Sequence, residues 1–178
     1  DGLACSGRHG RGRAAVAATW AGFEVLLAAG KIGSWGGRTF EAGDLHALSK
    51  CAGKGSIACN QVLYHLQERA IEHAVIPWCE QHDVAVVAYS PFGHNDFPSP
   101  RSAGGKILQR IGDAHGATPH QVALAFLTRR PSLFAIPKAA SAAHAEDNAA
   151  AGAMVLSAAE LATNGGAVPR GQHGGANG

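Results

Sequence analysis

The pattern of apolar and polar positions alternates between two periods along the middle of the chain. The clearest run is VAVVAYS at residues 84–90, β-branched and almost wholly apolar, ending abruptly on a tyrosine and a serine before Pro91. A continuous apolar run reads as a strand buried on both faces, the mark of a parallel sheet covered by helices. Three further strand-like segments are KIGSWGG (31–37), weakened by its glycines, SIACNQV (56–62) and LFAIPK (133–138), where Pro137 falls where no ladder donor is needed. Between them the period becomes helical. Trp20, Phe23 and Leu27 share a face that ends at Gly30 and Lys31, and LHALSKC (45–51) reads as helix. Ile71, Val75, Trp78 and Cys79 form a stripe that contains Pro77, predicting a kink or a restart.

The later helices carry explicit start and stop signals. Ile107, Leu108, Ile111 and Ala114 line one face, terminated by Gly116. Thr118, Pro119 and Gln121 spell a capping box with proline at the first position, opening a helix expected to reach Arg130 before Pro131. Ser141 caps the alanine-rich stretch that follows, and Ser157 with Glu160 forms a second capping box. One helix followed by four strand–helix units argues for parallel β/α architecture. Doubly wound sheet and barrel both fit, although no G-x-G-x-x-G follows any strand.

Composition narrows the picture. The chain has 178 residues, 46% of them hydrophobic, enough for one domain with a real core. A net charge of +2 gives no ground for nucleic-acid or membrane partners, and no stretch approaches a membrane-spanning length. Cys5, Cys51, Cys59 and Cys79 form no C-x-x-C pair and read as reduced thiols of a cytoplasmic protein. The ten histidines show no metal-ligand spacing, so no metal is expected. Residues 1–19 form a Gly/Arg-rich arm, whose GRHGRGR lacks interleaved aromatics and reads first as a solvated arm rather than an RNA contact. Residues 20–163 form the folded unit, and residues 164–178 a glycine-rich, disordered tail. The chain opens on Asp1, not methionine, which suggests a fragment.

In parallel β/α proteins ligands sit past the carboxyl ends of the strands. There the chain places Gly36–Thr39, Asn60 with Gln61, Tyr89–Gly93, and Pro137 with Lys138. Gln61 is suited to a planar carboxamide, Tyr89 to stacking on a flat ring, the Ser90–Gly93 loop to a diphosphate, and Lys138 to a phosphate before a helix N-terminus. Together they describe a nicotinamide dinucleotide across a barrel mouth. Each alone reads equally as core packing, turn chemistry or surface.

The blocks FEVLLAAGKIGSWGGRTF, CNQVLYHL, IPWCEQHDVAVVAYSPFG, TPHQVALAFLTRRP and AIPKAASAAHAEDNAA resemble the C-terminal half of the aldo-keto reductase family, in the right order, over about residues 20–161. The resemblance implies a partial (β/α)8 TIM barrel of about four C-terminal β/α units, and an NADPH-dependent oxidoreductase that reduces aldehydes and ketones to alcohols. It implies Gln61 on the nicotinamide carboxamide, Tyr89 against the ring, and Ser90, Phe92 and Gly93 along the pyrophosphate. Lys138 and His144 would neighbour the adenosine 2′-phosphate, and Asn148 the adenine. His144 stands where many members have arginine, which leaves NAD(H) beside NADP(H). GGRTF replaces the family's G-V-S-N-F, so Arg38 and Thr39 stand for the serine and asparagine that help hold the carboxamide. The family's catalytic Asp, Tyr and Lys belong to the N-terminal half, which is missing here. His9 is the candidate for its catalytic histidine. Tyr64 and Tyr89, in cofactor or scaffold blocks, do not substitute for the acid.

The resemblance implies a small-molecule carbonyl substrate, and a half-barrel with open edges implies self-association. With the N-terminal half missing, the reductase is expected to be truncated and inactive alone; the alternative reading is a non-catalytic nicotinamide-nucleotide-binding or regulatory module.

Overall fold

A computed structural model describes residues 20–51 and 57–167. It begins with helix α1 (residues 20–28). There follow β1 (Trp35–Arg38), α2 (Ala42–Cys51), β2 (Ile57–Leu63), a 3-10 turn (Ala70–Glu72), α3 (Val75–Gln81) and β3 (Ala85–Tyr89). Next come α4 (Ala103–His115), α5 (Pro119–Leu127), β4 (Leu133–Ile136), α6 (Ala142–Ala150), a second 3-10 turn (Ala151–Ala153) and α7 (Ala158–Ala167). No helix among the described residues is long and apolar enough to cross a membrane.

The four strands are parallel and lie in the order β1-β2-β3-β4. This order decides between the two architectures that the sequence left open. A doubly wound sheet reverses its order at a switch point and is covered on both faces, whereas a barrel adds strands in sequence and places helices outside only. Here Trp35, Asn60, Val62, Val86, Ala88 and Leu133 are buried beneath the helices, while Arg38, Cys59, Gln61, Leu63, Ala85, Val87, Tyr89, Phe134 and Ile136 are half-buried or exposed on the other face. The sheet is an arc of a barrel. VAVVAYS is accordingly buried on one face, not two. Its other apolar side chains point towards what is the interior in a closed barrel, where alternate strands fill layers together.

Local signals account for most elements. Ser102 caps α4 by accepting from the Gly105 N–H at 3.0 Å, and Gly116 ends it with φ 63°. A left-handed residue there is the ordinary stop for a helix, and glycine adopts it without steric cost. The Thr118 box is complete: its hydroxyl accepts from the Gln121 N–H, and the Gln121 amide oxygen accepts from the Thr118 N–H at 2.8 Å. α5 is buried along Val122–Leu127 and packs under the sheet. It stops at Leu127 rather than near Arg130: the Thr128 N–H makes the closing i→i−4 bond to the Leu124 carbonyl at 2.9 Å, and Arg129 turns to Tyr64 and Glu72.

Pro77 lies in the first turn of α3. The stripe from Ile71 to Cys79 is therefore a 3-10 turn followed by a restart, as a proline without an N–H donor allows. On the β1 side, Trp20 meets Trp35 edge-on at 4.1 Å and Phe23 stacks on it at 6.0 Å, docking α1.

The tail boundary expected at residue 164 falls inside α7. Asn164 is buried, and the Gly165 carbonyl accepts from the Arg69 guanidinium at 3.0 Å. This tertiary bond carries the helix through TNGG, whose glycines argue against helix on local grounds. The arm at 1–19 and residues 168–178 lie outside the described residues.

Candidate functional site

The strand ends are held by a loop whose sequence explains its shape. After β1 the chain turns at Thr39, with φ 58°. The Thr39 N–H donates to the Gln61 carbonyl at 2.8 Å. Buried Asn60 grips the next residue twice: its Nδ2 donates to the Phe40 carbonyl at 2.9 Å, and its Oδ1 accepts from the Phe40 N–H at 3.3 Å. Phe40 folds back onto Gly37, where a Cβ would collide with the ring. Asn60 thus pins the neighbouring loop instead of facing the rim.

With the backbone fixed, parity sets the side chains. Arg38 is opposite Gln61, Gln61 opposite Val87, and Leu63 opposite Tyr89, so Arg38, Gln61 and Tyr89 share the open face. The Arg38 guanidinium carbon lies over the Tyr89 ring, 5.6 Å from its centroid, within cation–π range. The Gln61 amide makes no side-chain hydrogen bond among the described residues, leaving both donor and acceptor available.

Ser90 takes φ 50°, the second strand exit with a non-glycine residue in the left-handed region. Strain of this kind persists where surrounding structure over-determines it, and it gathers at functional loops. The loop is a less open diphosphate cradle than its composition suggests. The Gly93 N–H is spent on the Ser90 carbonyl at 2.8 Å. Asp96 accepts from the His94 N–H at 2.7 Å, and its carboxylate fills the space that a Cβ at Gly93 would need. The Phe92 ring turns away into an aromatic cluster, edge-on to His120 at 4.8 Å and to Phe97 at 6.0 Å.

Lys138 is exposed, forms no ion pair among the described residues, and precedes the Ser141 cap of α6. Ser141 accepts from the His144 N–H at 3.2 Å. His144 and Asn148, four residues apart, share a helix face. The capping glutamine of α5 positions that helix: Gln121 Nε2 donates to both the Asp147 carbonyl and its carboxylate at 2.9 Å. Asn148 lines a groove of about 300 Å³ with Pro137, Thr128 and Ala135. His9 lies outside the described residues.

The structure therefore groups Arg38, Gln61 and Tyr89 on one face, and Lys138, His144 and Asn148 around α6. Tested against a nicotinamide dinucleotide, the donor set fits: a free carboxamide partner, an aromatic platform, and a lysine before a helix N-terminus. Arg38 is the exception, since it claims the platform.

A second polar group lies away from this rim, where sequence reasoning saw none. Tyr64, fully buried, donates to Glu72 Oε1 and accepts from Arg129 Nη1 at 2.8 Å. Glu72 also receives Arg69 Nη2 at 2.8 Å and Arg129 Nη2 at 2.9 Å. The Phe126 ring lies within cation–π range of both guanidinium groups, at 4.9 Å from Arg69 and 4.2 Å from Arg129. Burial pushes Glu72 up, but hydrogen bonds from Arg69 and Tyr64 and both positive charges outweigh it and hold the carboxyl at about 2. Burial pushes the Tyr64 phenol up to about 12, against the Arg129 charge and with help from the Glu72 hydrogen bond. A phenol so buried and so weakly acidic is a structural member, not a proton donor to substrate. The i, i+3 spacing of Arg69 and Glu72 is the one local signal that could have pointed to this cluster. Arg129 carries no such signal, because it arrives from a different β/α unit.

Comparison with known proteins identifies the family. The chain matches the aldo/keto reductase family over residues 11–165. It is 39% identical to methylglyoxal reductase YeaE of Escherichia coli (strain K12) over 154 residues, 86% of this chain and 54% of that protein. An aldo/keto reductase from Klebsiella pneumoniae, solved in complex with NADP and acetate, superposes with TM-score 0.74 at 41% identity, covering 84% of this chain and 53% of that one. The thermostable aldo-keto reductase Tm1743, in complex with the inhibitor epalrestat, superposes at 0.69 with 30% identity over 80% and 51%. The chain belongs to the aldo/keto reductase family, and it spans about half the length of these relatives.

Proposed function

We propose that the chain is the cofactor-binding arc of an NADP(H)-dependent reductase of aldehydes and ketones. The observation that carries the reading is the placement of Gln61 and Tyr89 on one open face at the carboxyl ends of β2 and β3. In this reading Gln61 orients the carboxamide and Tyr89 supports the ring. Backbone groups near Ser90 and Phe92 approach the diphosphate. Lys138 and His144 meet the adenosine phosphate, with NAD(H) as the weaker ligand, and Asn148 contacts the adenine. The nicotinamide supplies hydride chemistry when bound; the protein positions it. Similarity to a named methylglyoxal reductase supports a small carbonyl substrate. The free thiols of Cys59 and buried Cys79 support a reducing, cytoplasmic setting.

Tyr64 is locked in the Glu72 cluster and is not offered to a substrate as a proton donor. Cofactor binding is the expected behaviour of this chain, with turnover expected once the N-terminal half of a barrel is supplied. NADPH consumption with methylglyoxal, measured alone and after mixing with a separately produced N-terminal half of a relative, tests this. Turnover only on mixing, abolished by Tyr89→Ala, is expected. Turnover insensitive to Tyr89→Ala would overturn the assignment of the rim.

A further inference from the structure

Arg38 is the residue of the rim that neither a generic nicotinamide site nor the structural framework requires. Its placement is nonetheless closely determined. Gly37 is locked against Phe40, Thr39 is bonded to Gln61, and Asn60 holds Phe40 at both backbone groups. The Arg38 Cα cannot retreat from the rim without breaking these contacts. Its guanidinium lies 5.6 Å from the centre of the Tyr89 ring and has no ion-pair partner among the described residues. No carboxylate neutralises it at the point where a ligand ring would stack.

A nicotinamide ring exists in two charge states. The oxidised pyridinium carries a positive charge, and the reduced dihydropyridine is neutral. A cation on the same platform repels the first and is indifferent to the second. We propose that Arg38 makes the Tyr89 platform selective for the oxidation state of the nicotinamide, admitting the neutral reduced ring and disfavouring the cationic oxidised one. A flat ring arriving on Tyr89 displaces the guanidinium sideways, and the anchored backbone keeps it nearby. The consequence is a site that loads reduced cofactor and sheds oxidised cofactor. The inference rests on the cofactor reading above.

The test compares dissociation constants for NADPH and NADP+ in the wild-type chain, Arg38→Gln and Arg38→Lys, by calorimetry, with circular dichroism confirming the fold. Removing a positive charge weakens both dinucleotides through their phosphates, so the informative quantity is the ratio of the NADP+ to the NADPH constant. Arg38→Gln is expected to lower that ratio roughly fivefold, the size of a partly screened charge–charge contact at this distance. Arg38→Lys keeps it near the wild-type value. Binding of both forms with a ratio unchanged in Arg38→Gln overturns the role of Arg38 and leaves the cofactor site standing. Absence of binding by either form in all three folded proteins overturns the cofactor site and the inference with it.

Discussion

At the scale of single residues, the chain uses charge in two opposite settings. Glu72 is buried between two arginines and a tyrosine, and Arg38 stands exposed over another tyrosine. Removing one member of the first set leaves uncompensated charge inside the protein. Glu72→Gln is expected to cost about 3 kcal/mol in urea unfolding, because both guanidinium groups then lose their carboxylate. The pH dependence follows from the same group. The Glu72 pKa of about 2 in the folded state lies below its ordinary value of 4.5. Its contribution is therefore fully present above 4.5 and is lost as pH falls towards 2. Stability measured between pH 5 and pH 2.5 should fall less steeply in Glu72→Gln than in the wild type. Equal slopes would show that Glu72 is not the group that titrates. The sequence disclosed the rim residues better than this cluster, because strand ends are marked by abrupt changes of composition. A buried ion pair between distant units leaves no local mark.

At the scale of elements, the capping signals were the most legible part of the chain. Thr118, Ser141 and Ser157 all open the helices that their spacing announced, and Ser102 adds a cap at α4. A hydroxyl or carboxyl group meeting orphan N–H groups is a purely local event. Thr118→Ala should cost about 1 kcal/mol, read as a shift in the urea midpoint without a change in slope. It should also loosen α6, since Gln121 serves both the cap and Asp147. Helix ends determined by tertiary contacts were not legible. α5 stops short of Arg130, and α7 continues past residue 163 on the strength of Arg69. Phe92 is another case: the resemblance set it along the pyrophosphate, while its ring packs edge-on against nearby Phe97 and against His120 of α5.

At the scale of the molecule, the sequence showed alternation but not its geometry. Strand order and one-sided helices were needed to choose an arc of a barrel over a doubly wound sheet. Among the described residues β1 and β4 are the edges of that arc, with Phe134 at 53% and Ile136 at 48% exposure on β4. Apolar side chains beside an unpaired edge favour association with a matching edge. We expect concentration-dependent self-association in sedimentation velocity, and its loss in the double variant Phe134→Lys/Ile136→Lys. A wild-type chain that sediments as a monomer at every concentration would count against it.

In the proposed reading, Tyr89 and Lys138 hold a nicotinamide dinucleotide at the rim of this arc. Titration of the folded chain with NADPH, followed by tryptophan fluorescence, tests it most directly. Saturable quenching is expected, with the dissociation constant raised roughly tenfold in Tyr89→Ala by loss of one stacking contact, raised also in Lys138→Ala, and higher for NADH than for NADPH. A folded chain that shows no saturation, or that binds equally well without Tyr89 and Lys138, would contradict the claim.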